Sequence, residues 1–140
     1  IILQCLNKFL TGIMNLHYPY RCTLMTTIEE TPWTDPVEEN PFFNVYRDKY
    51  AVTDGHTLYV PKKDEWYYIN KCLEAAYNQG SEWVENEYCD AYNIGQNVGR
   101  AAGQTIMYPH IHLIPRRKGD MDDPRGGVRH VIPEKGNYTK

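Results

Sequence analysis

Two histidines, His110 and His112, stand two residues apart inside the apolar run 106–114. Successive strand side chains point to opposite faces, so residues i and i+2 share a face, roughly 7 Å apart. Tyr108, His110 and His112 therefore form one row of polar-tipped side chains, while Ile111 and Leu113 point the other way, into a core. Neutral imidazole is a competent nucleophile near pH 7, because its ordinary pKa is about 6.5. A glycine-rich segment, 93–105, lies just before the row, and Arg116 and Arg117 lie just after it. Imidazoles set between backbone N–H donors and cations suit attack on a phosphate. Glycines such as Gly103 let the backbone approach an anion closely. The Asn97 amide and the Thr105 hydroxyl can donate to non-bridging oxygens. Gln104 sits between them. A metal site is the competing use of these side chains, with His110, His112 and either His56 or His130 as ligands. No Cys or carboxylate stands at ligand spacing beside them, so no metal is expected.

The elements that position the row follow from pattern. At 140 residues the chain makes one domain with a single core, and its charge of -3 argues against general nucleic-acid binding. Residues 28–48 are acid-rich and residues 116–129 cationic, so any attraction for anions is local. Cys5, Cys22, Cys72 and Cys89 show no Cys-x-x-Cys pair, which fits reduced thiols in a cytoplasmic chain. No apolar run approaches the roughly 18–20 residues of a membrane span. Residues 1–10 have helical apolar spacing, yet Met25 begins a stretch that reads like a natural start. Residues 1–24 are therefore expected to be upstream translation or an extension the fold does not need.

Residues 25–41 carry Pro32, Pro36 and Pro41 and read as an extended arm. Strands are expected at 42–48 and 57–60, joined through Thr53-Asp54-Gly55 as an antiparallel hairpin. Asp64 is placed to cap a helix running to about Gln79, with Gly80 as its stop. Trp66, Ile69, Leu73 and Ala76 or Tyr77 give that helix one apolar face. Residues 81–88 fit either a loop or more helix. A short strand at 91–95 and a tight or single helical turn at 97–103 precede the histidine strand, which must be irregular at Pro109 or turn that nitrogen outward. Beyond Pro115 the chain is expected to be mostly loop. The class is α+β with an antiparallel sheet.

Three separated segments carry a resemblance. Tyr108-Pro-His110-Ile-His112-Leu-Ile-Pro-Arg116 resembles the signature of the histidine-triad (HIT) family, His-x-His-x-His followed by apolar residues and often Pro-Arg. Gly55-His-Thr-Leu-Tyr-Val-Pro-Lys-Lys63 is similar to an upstream strand of that family, and residues 93–105 to its nucleotide-contacting loop. Residues 116–129 are similar to a tail of bacterial and phage-type members, some described as diadenosine tetraphosphate hydrolases. Residues 42–140 are the segment read as the HIT-like domain. The departure is Tyr108, which stands where the first histidine of the triad is expected.

The resemblance implies a five-stranded antiparallel sheet with one main helix, often doubled across a homodimer. It implies a nucleotidyl hydrolase or transferase acting on phosphoanhydrides, such as diadenosine polyphosphates, or on phosphoramidates. His110 would be the nucleophile, held by the carbonyl of Tyr108. His112 would donate to a phosphate oxygen, His56 would touch the same site, and Asp48 would bind ribose hydroxyls. The Tyr108 phenol can donate a hydrogen bond, but a pKa near 10 makes it a poor proton shuttle. Phe43, Val45 and Val60 would wall the base, and the 116–118, Arg125 and Arg129 cations would grip distal phosphates. No cofactor is required, although Mg²⁺ can accompany a polyphosphate. The alternative is a nucleotide-binding sensor of the same fold with little turnover.

Overall fold

The computed structural model describes residues 25 and 27–138. The expected helix at 1–10 and the expected extension 1–24 lie outside the described residues. Five antiparallel strands make one sheet: β1 (Glu38–Glu39), β2 (Phe43–Arg47), β3 (Thr57–Pro61), β4 (Ala91–Gly95) and β5 (Ile111–Arg116). Their order is β1-β2-β3-β5-β4, which puts the histidine strand at an inner position. Helix α1 (Trp66–Glu85) covers one face. That face holds Phe43, Val45, Tyr59, Ile111 and Leu113 against Ile69, Cys72 and Ala76 of the helix. Among the described residues, no helix is long and apolar enough to cross a membrane.

Helix α1 departs from expectation at both ends. Its N-cap is Glu65, which makes no side-chain capping bond, in place of Asp64. It runs through Gly80 to Glu85, so residues 81–85 are helix. Gly80 is no terminator: a Cβ there would stand 2.6 Å from Cδ2 of Tyr92. The glycine lets the Tyr92 ring of β4 lie directly on the helix backbone, and the Tyr92 hydroxyl meets Ser81 Oγ at 2.9 Å. Trp66 and Tyr77 stay exposed, and Cys72 takes the buried position between them. Gly80→Ala should destabilise the protein by about 1 kcal/mol or more, because overpacking exceeds alanine's helical advantage. Urea unfolding checks this, and an unchanged midpoint would mean that the Tyr92 ring can step aside.

The second face of the sheet carries the row. There Ile28, Tyr46, Leu58, Val60 and Tyr108 form a smaller buried cluster. The 25–41 arm is tied down onto this face by a bridge from Thr27 to Lys63 and by a single 3-10 turn, Ile28–Glu30. The tail is more ordered than a loop. It forms a 3-10 turn, Gly127–Val131, and a one-turn helix α2 (Pro133–Gly136). Gly126 lets these two turns touch: a Cβ on it would meet the Gly136 carbonyl oxygen at 2.3 Å.

Candidate active site

Regular pairing in the histidine strand begins only at Ile111, five residues later than expected. Pro109 has no N–H to offer a ladder. The Tyr108 carbonyl is taken by side chains: His110 Nδ1 lies 2.8 Å from it and Gln104 Nε2 3.3 Å. This irregular lead-in turns the backbone itself into part of the site. A carbonyl can only accept, so the proton of neutral His110 sits on Nδ1 and the Nε2 lone pair is left available.

His112 is held in the opposite tautomer. The Val52 N–H donates to His56 Nδ1 at 3.3 Å, so the His56 proton sits on Nε2. That nitrogen stands 3.0 Å from His112 Nδ1, which accepts, and the His112 proton is on Nε2. The carboxylate of Asp48 adjoins both rings, with Oδ2 at 3.4 Å from His56 and 3.7 Å from His112. Its other oxygen accepts from the Tyr50 N–H at 2.7 Å. The rings of His110 and His112 lie 5.2 Å apart, edge to face. One imidazole thus presents a lone pair and its neighbour an N–H.

Burial sets the charge state. It draws His110 below the usual imidazole value, against the opposing pull of the Tyr108 carbonyl and Asp48. Burial, followed by the neighbouring His110 and His56 rings, brings His112 from 6.5 to about 4. Burial likewise lowers His56, with Asp48 opposing. All three are neutral at pH 7. Each folded ring binds its proton less readily than the same ring in the unfolded chain. Between 6.5 and about 4 the unfolded chain therefore holds more protons, and stability falls as pH falls through that window. Above it the contribution is constant. Melting temperatures between pH 7 and 4.5 should decline with a slope that His112→Gln makes shallower. Identical slopes would remove His112 from the account.

The remaining expected residues divide. Tyr108 is wholly buried, and its hydroxyl donates to the Pro61 carbonyl at 2.9 Å, so the phenol ties the lead-in to β3 while the Tyr108 carbonyl meets His110. Gln104 is committed as well: its amide donates to the Ile106 and Tyr108 carbonyls and accepts from the Gly99 N–H. It braces the loop and the acceptor of His110, where direct phosphate contact was expected. The loop also spends its own donors, since the N–H groups of Ala102, Gly103 and Gln104 bond to the Gly99 and Arg100 carbonyls. Asn97, Gly103 and Thr105 lie on this loop, which leaves the sheet at Gly95, the register partner of His112, and returns to it at Ile111. Phe43 and Val45 belong to the helix side of the sheet and cannot wall a base on the histidine side, because the pleat alternates.

The cations are also occupied. Arg116 binds Asp120 through two nitrogens and Asn93 through a third. Arg117 bonds to the Asp54 and Tyr88 carbonyls, Arg125 to Asp123, and Arg129 to the Lys135 and Gly136 carbonyls. These bonds tie the arginines to the tail and to the neighbouring turns.

Trp33 was missed. Its ring lies 5.0 Å from the His110 ring and is stacked on Tyr46 at 6.2 Å. The only hint in the sequence was a lone tryptophan in an acidic, proline-flanked segment. Asp48, expected at the site from the resemblance, stands with His56 and His112, and the three bring candidate metal-ligand atoms within 4.8 Å of one another. That set differs from the expected one, which contained no carboxylate. Their fit to an ion is poor in one respect. A metal-bound imidazole normally donates its second N–H, whereas His56 Nδ1 faces an N–H donor and its Nε2 carries the proton.

A buried histidine bonded through Nδ1 to a backbone carbonyl thus stands beside a second histidine held as a donor, on an antiparallel sheet. The chain belongs to the HIT domain family, whose model matches residues 34–119. The HIT-like protein MJ0866 of Methanocaldococcus jannaschii is 32% identical over 120 residues, covering 66% of this chain and 84% of that one. Among solved structures, a zinc-bound histidine triad family protein from Mycobacterium smegmatis superposes with a TM-score of 0.56 at 26% identity, over 70% of this chain and 81% of that one. A hypothetical histidine triad nucleotide-binding protein from Sulfolobus tokodaii gives 0.53 at 29%, over 63% and 64%. The family comprises nucleotide-binding hydrolases and transferases.

Proposed function

We propose that this chain is a nucleotidyl hydrolase or transferase that cleaves nucleoside-phosphate anhydrides or phosphoramidates through an intermediate on His110. The observation that carries this reading is the 2.8 Å bond from His110 Nδ1 to the Tyr108 carbonyl, which leaves Nε2 free. Nε2 attacks the α-phosphorus, a P–N bond forms, and the bond to the leaving group breaks. The new imidazolium keeps its Nδ1–H on the Tyr108 carbonyl, which offsets the positive charge. His112 Nε2–H donates to a non-bridging oxygen, where charge grows in the transition state. Water then attacks phosphorus, the P–N bond breaks, and the nucleoside monophosphate leaves with His110 restored. His56 and the Val52 N–H hold His112 in the donating tautomer, and Asp48 is positioned to accept from ribose hydroxyls.

The test is to trap the intermediate. A reaction with labelled diadenosine polyphosphate or adenosine phosphoramidate is quenched in the first turnover and the labelled residue mapped by mass spectrometry. The label is expected on His110. A label on another residue overturns the assignment. A second reading, a nucleotide sensor with little turnover, is favoured by the Trp33 ring resting against His110 and by the committed Tyr108 hydroxyl. Nucleotide binding without any release of monophosphate would select it.

A further inference from the structure

Beyond His112 the same face of β5 continues through Ile114 and Arg116 into a cavity of about 340 Å³. Its floor is Ile114 and Asn93, which are register partners on β5 and β4. One wall is the β2–β3 turn at Val52 and Thr53, and the other is the tail at Met121 and Pro124. The tail's wall is held by its own bonds: Arg129 to the Gly136 carbonyl, and His130 Nε2 to the Arg125 carbonyl at 2.7 Å. The volume falls in the small-molecule range.

The lining says what class of ligand suits it. The cation present, Arg116, is neutralised by both oxygens of Asp120, so the cavity is a poor phosphate site. Val52, Ile114, Met121 and Pro124 offer apolar contact to a flat ring. Asn93 adds one oriented donor. Its Oδ1 is fixed by Arg116 at 2.8 Å, and its Nδ2 has no protein acceptor among the described residues. An apolar slot with a single amide N–H suits a neutral heteroaromatic ring bearing an acceptor. Its position suits a substrate longer than one nucleotide. Ile114 is four residues from His110 on the same face, roughly 13 Å along an extended strand. Several phosphoanhydride links and a ribose span that distance.

We infer that this cavity receives the base of the departing nucleotide of a dinucleoside polyphosphate, so that the tail acts as the leaving-group specificity wall. This rests on the nucleotidyl-transfer reading above. The experiment compares adenosine phosphoramidate, whose leaving group is ammonia, with diadenosine tetraphosphate. Met121→Trp fills the cavity from the tail side, away from the histidines. It should leave kcat/KM for the phosphoramidate within about twofold, and lower it for the dinucleotide by about tenfold or more, mainly through KM. Asn93→Asp, which keeps an acceptor for Arg116 but loses the amide donor, should show the same selective loss. It serves in place of Met121→Trp if that variant melts early. Equal effects on both substrates, or none on either, overturn the subsite and leave the His110 chemistry standing. A wild-type protein that cleaves neither substrate overturns both.

Discussion

His110→Ala is expected to abolish turnover, with kcat falling by about 10⁴-fold or more, while nucleotide affinity changes little. Removing the nucleophile removes the covalent route itself, and no other described side chain combines a free ring lone pair with this position. The ring is small and sits at the edge of the buried cluster, so the fold should survive the change. His110→Asn separates shape from chemistry: it can still donate to the Tyr108 carbonyl but carries no nucleophilic lone pair, and it should be as inactive as alanine. In the wild type, kcat/KM should hold level from neutral pH down past 6.5, because burial keeps His110 unprotonated below its ordinary range. An acid limb centred at or above 6.5 would contradict that environment. Stopped-flow release of monophosphate measures all three. Residual activity of His110→Ala within tenfold of wild type would end the nucleophile assignment.

The second large effect is on stability, at Tyr108. Tyr108→Ala should cost about 3–5 kcal/mol, since it empties a fully buried ring site beneath Val60 and Leu58. Tyr108→Phe keeps the ring and loses only the bond to the Pro61 carbonyl, so about 1–2 kcal/mol is expected. Activity should separate the two roles of this residue. Phenylalanine supplies the same backbone carbonyl to His110, and kcat should stay within a few-fold of wild type. A loss of a hundredfold in the phenylalanine variant, with stability intact, would return the phenol to the reaction. Denaturant unfolding paired with steady-state kinetics decides the matter.

Much of this was legible from the chain because local pattern and local structure coincide there. The strands around Phe43, Thr57 and Ala91 have limits that agree with the sequence reading to within a residue or two. His110 and His112 lie side by side as expected, although regular pairing starts only at Ile111. The carbonyl partner of His110 is anticipated from the family resemblance, and the structure has that bond. What stayed hidden depends on distance in sequence. Gly80 reads as a helix stop until Tyr92, twelve residues on, is seen to need its missing Cβ. The arginines after Pro115 read as a phosphate grip because their partners, Asp120, Asp123 and remote carbonyls, are fixed only by the tail's fold. Trp33 reaches the histidines through tertiary packing alone and no spacing rule announces it, whereas Asp48 is placed there by the family resemblance and not by any spacing.

The placement of Trp33 has a practical corollary. The protein has three tryptophans, of which Trp66 is exposed on the helix and Trp83 packs against Tyr88. Replacing those two with phenylalanine would leave a single tryptophan, in contact with His110 and selectively excited at the red edge of absorption. Ligand occupancy of the histidine site could then be followed by emission in real time, without labelling the protein or the ligand.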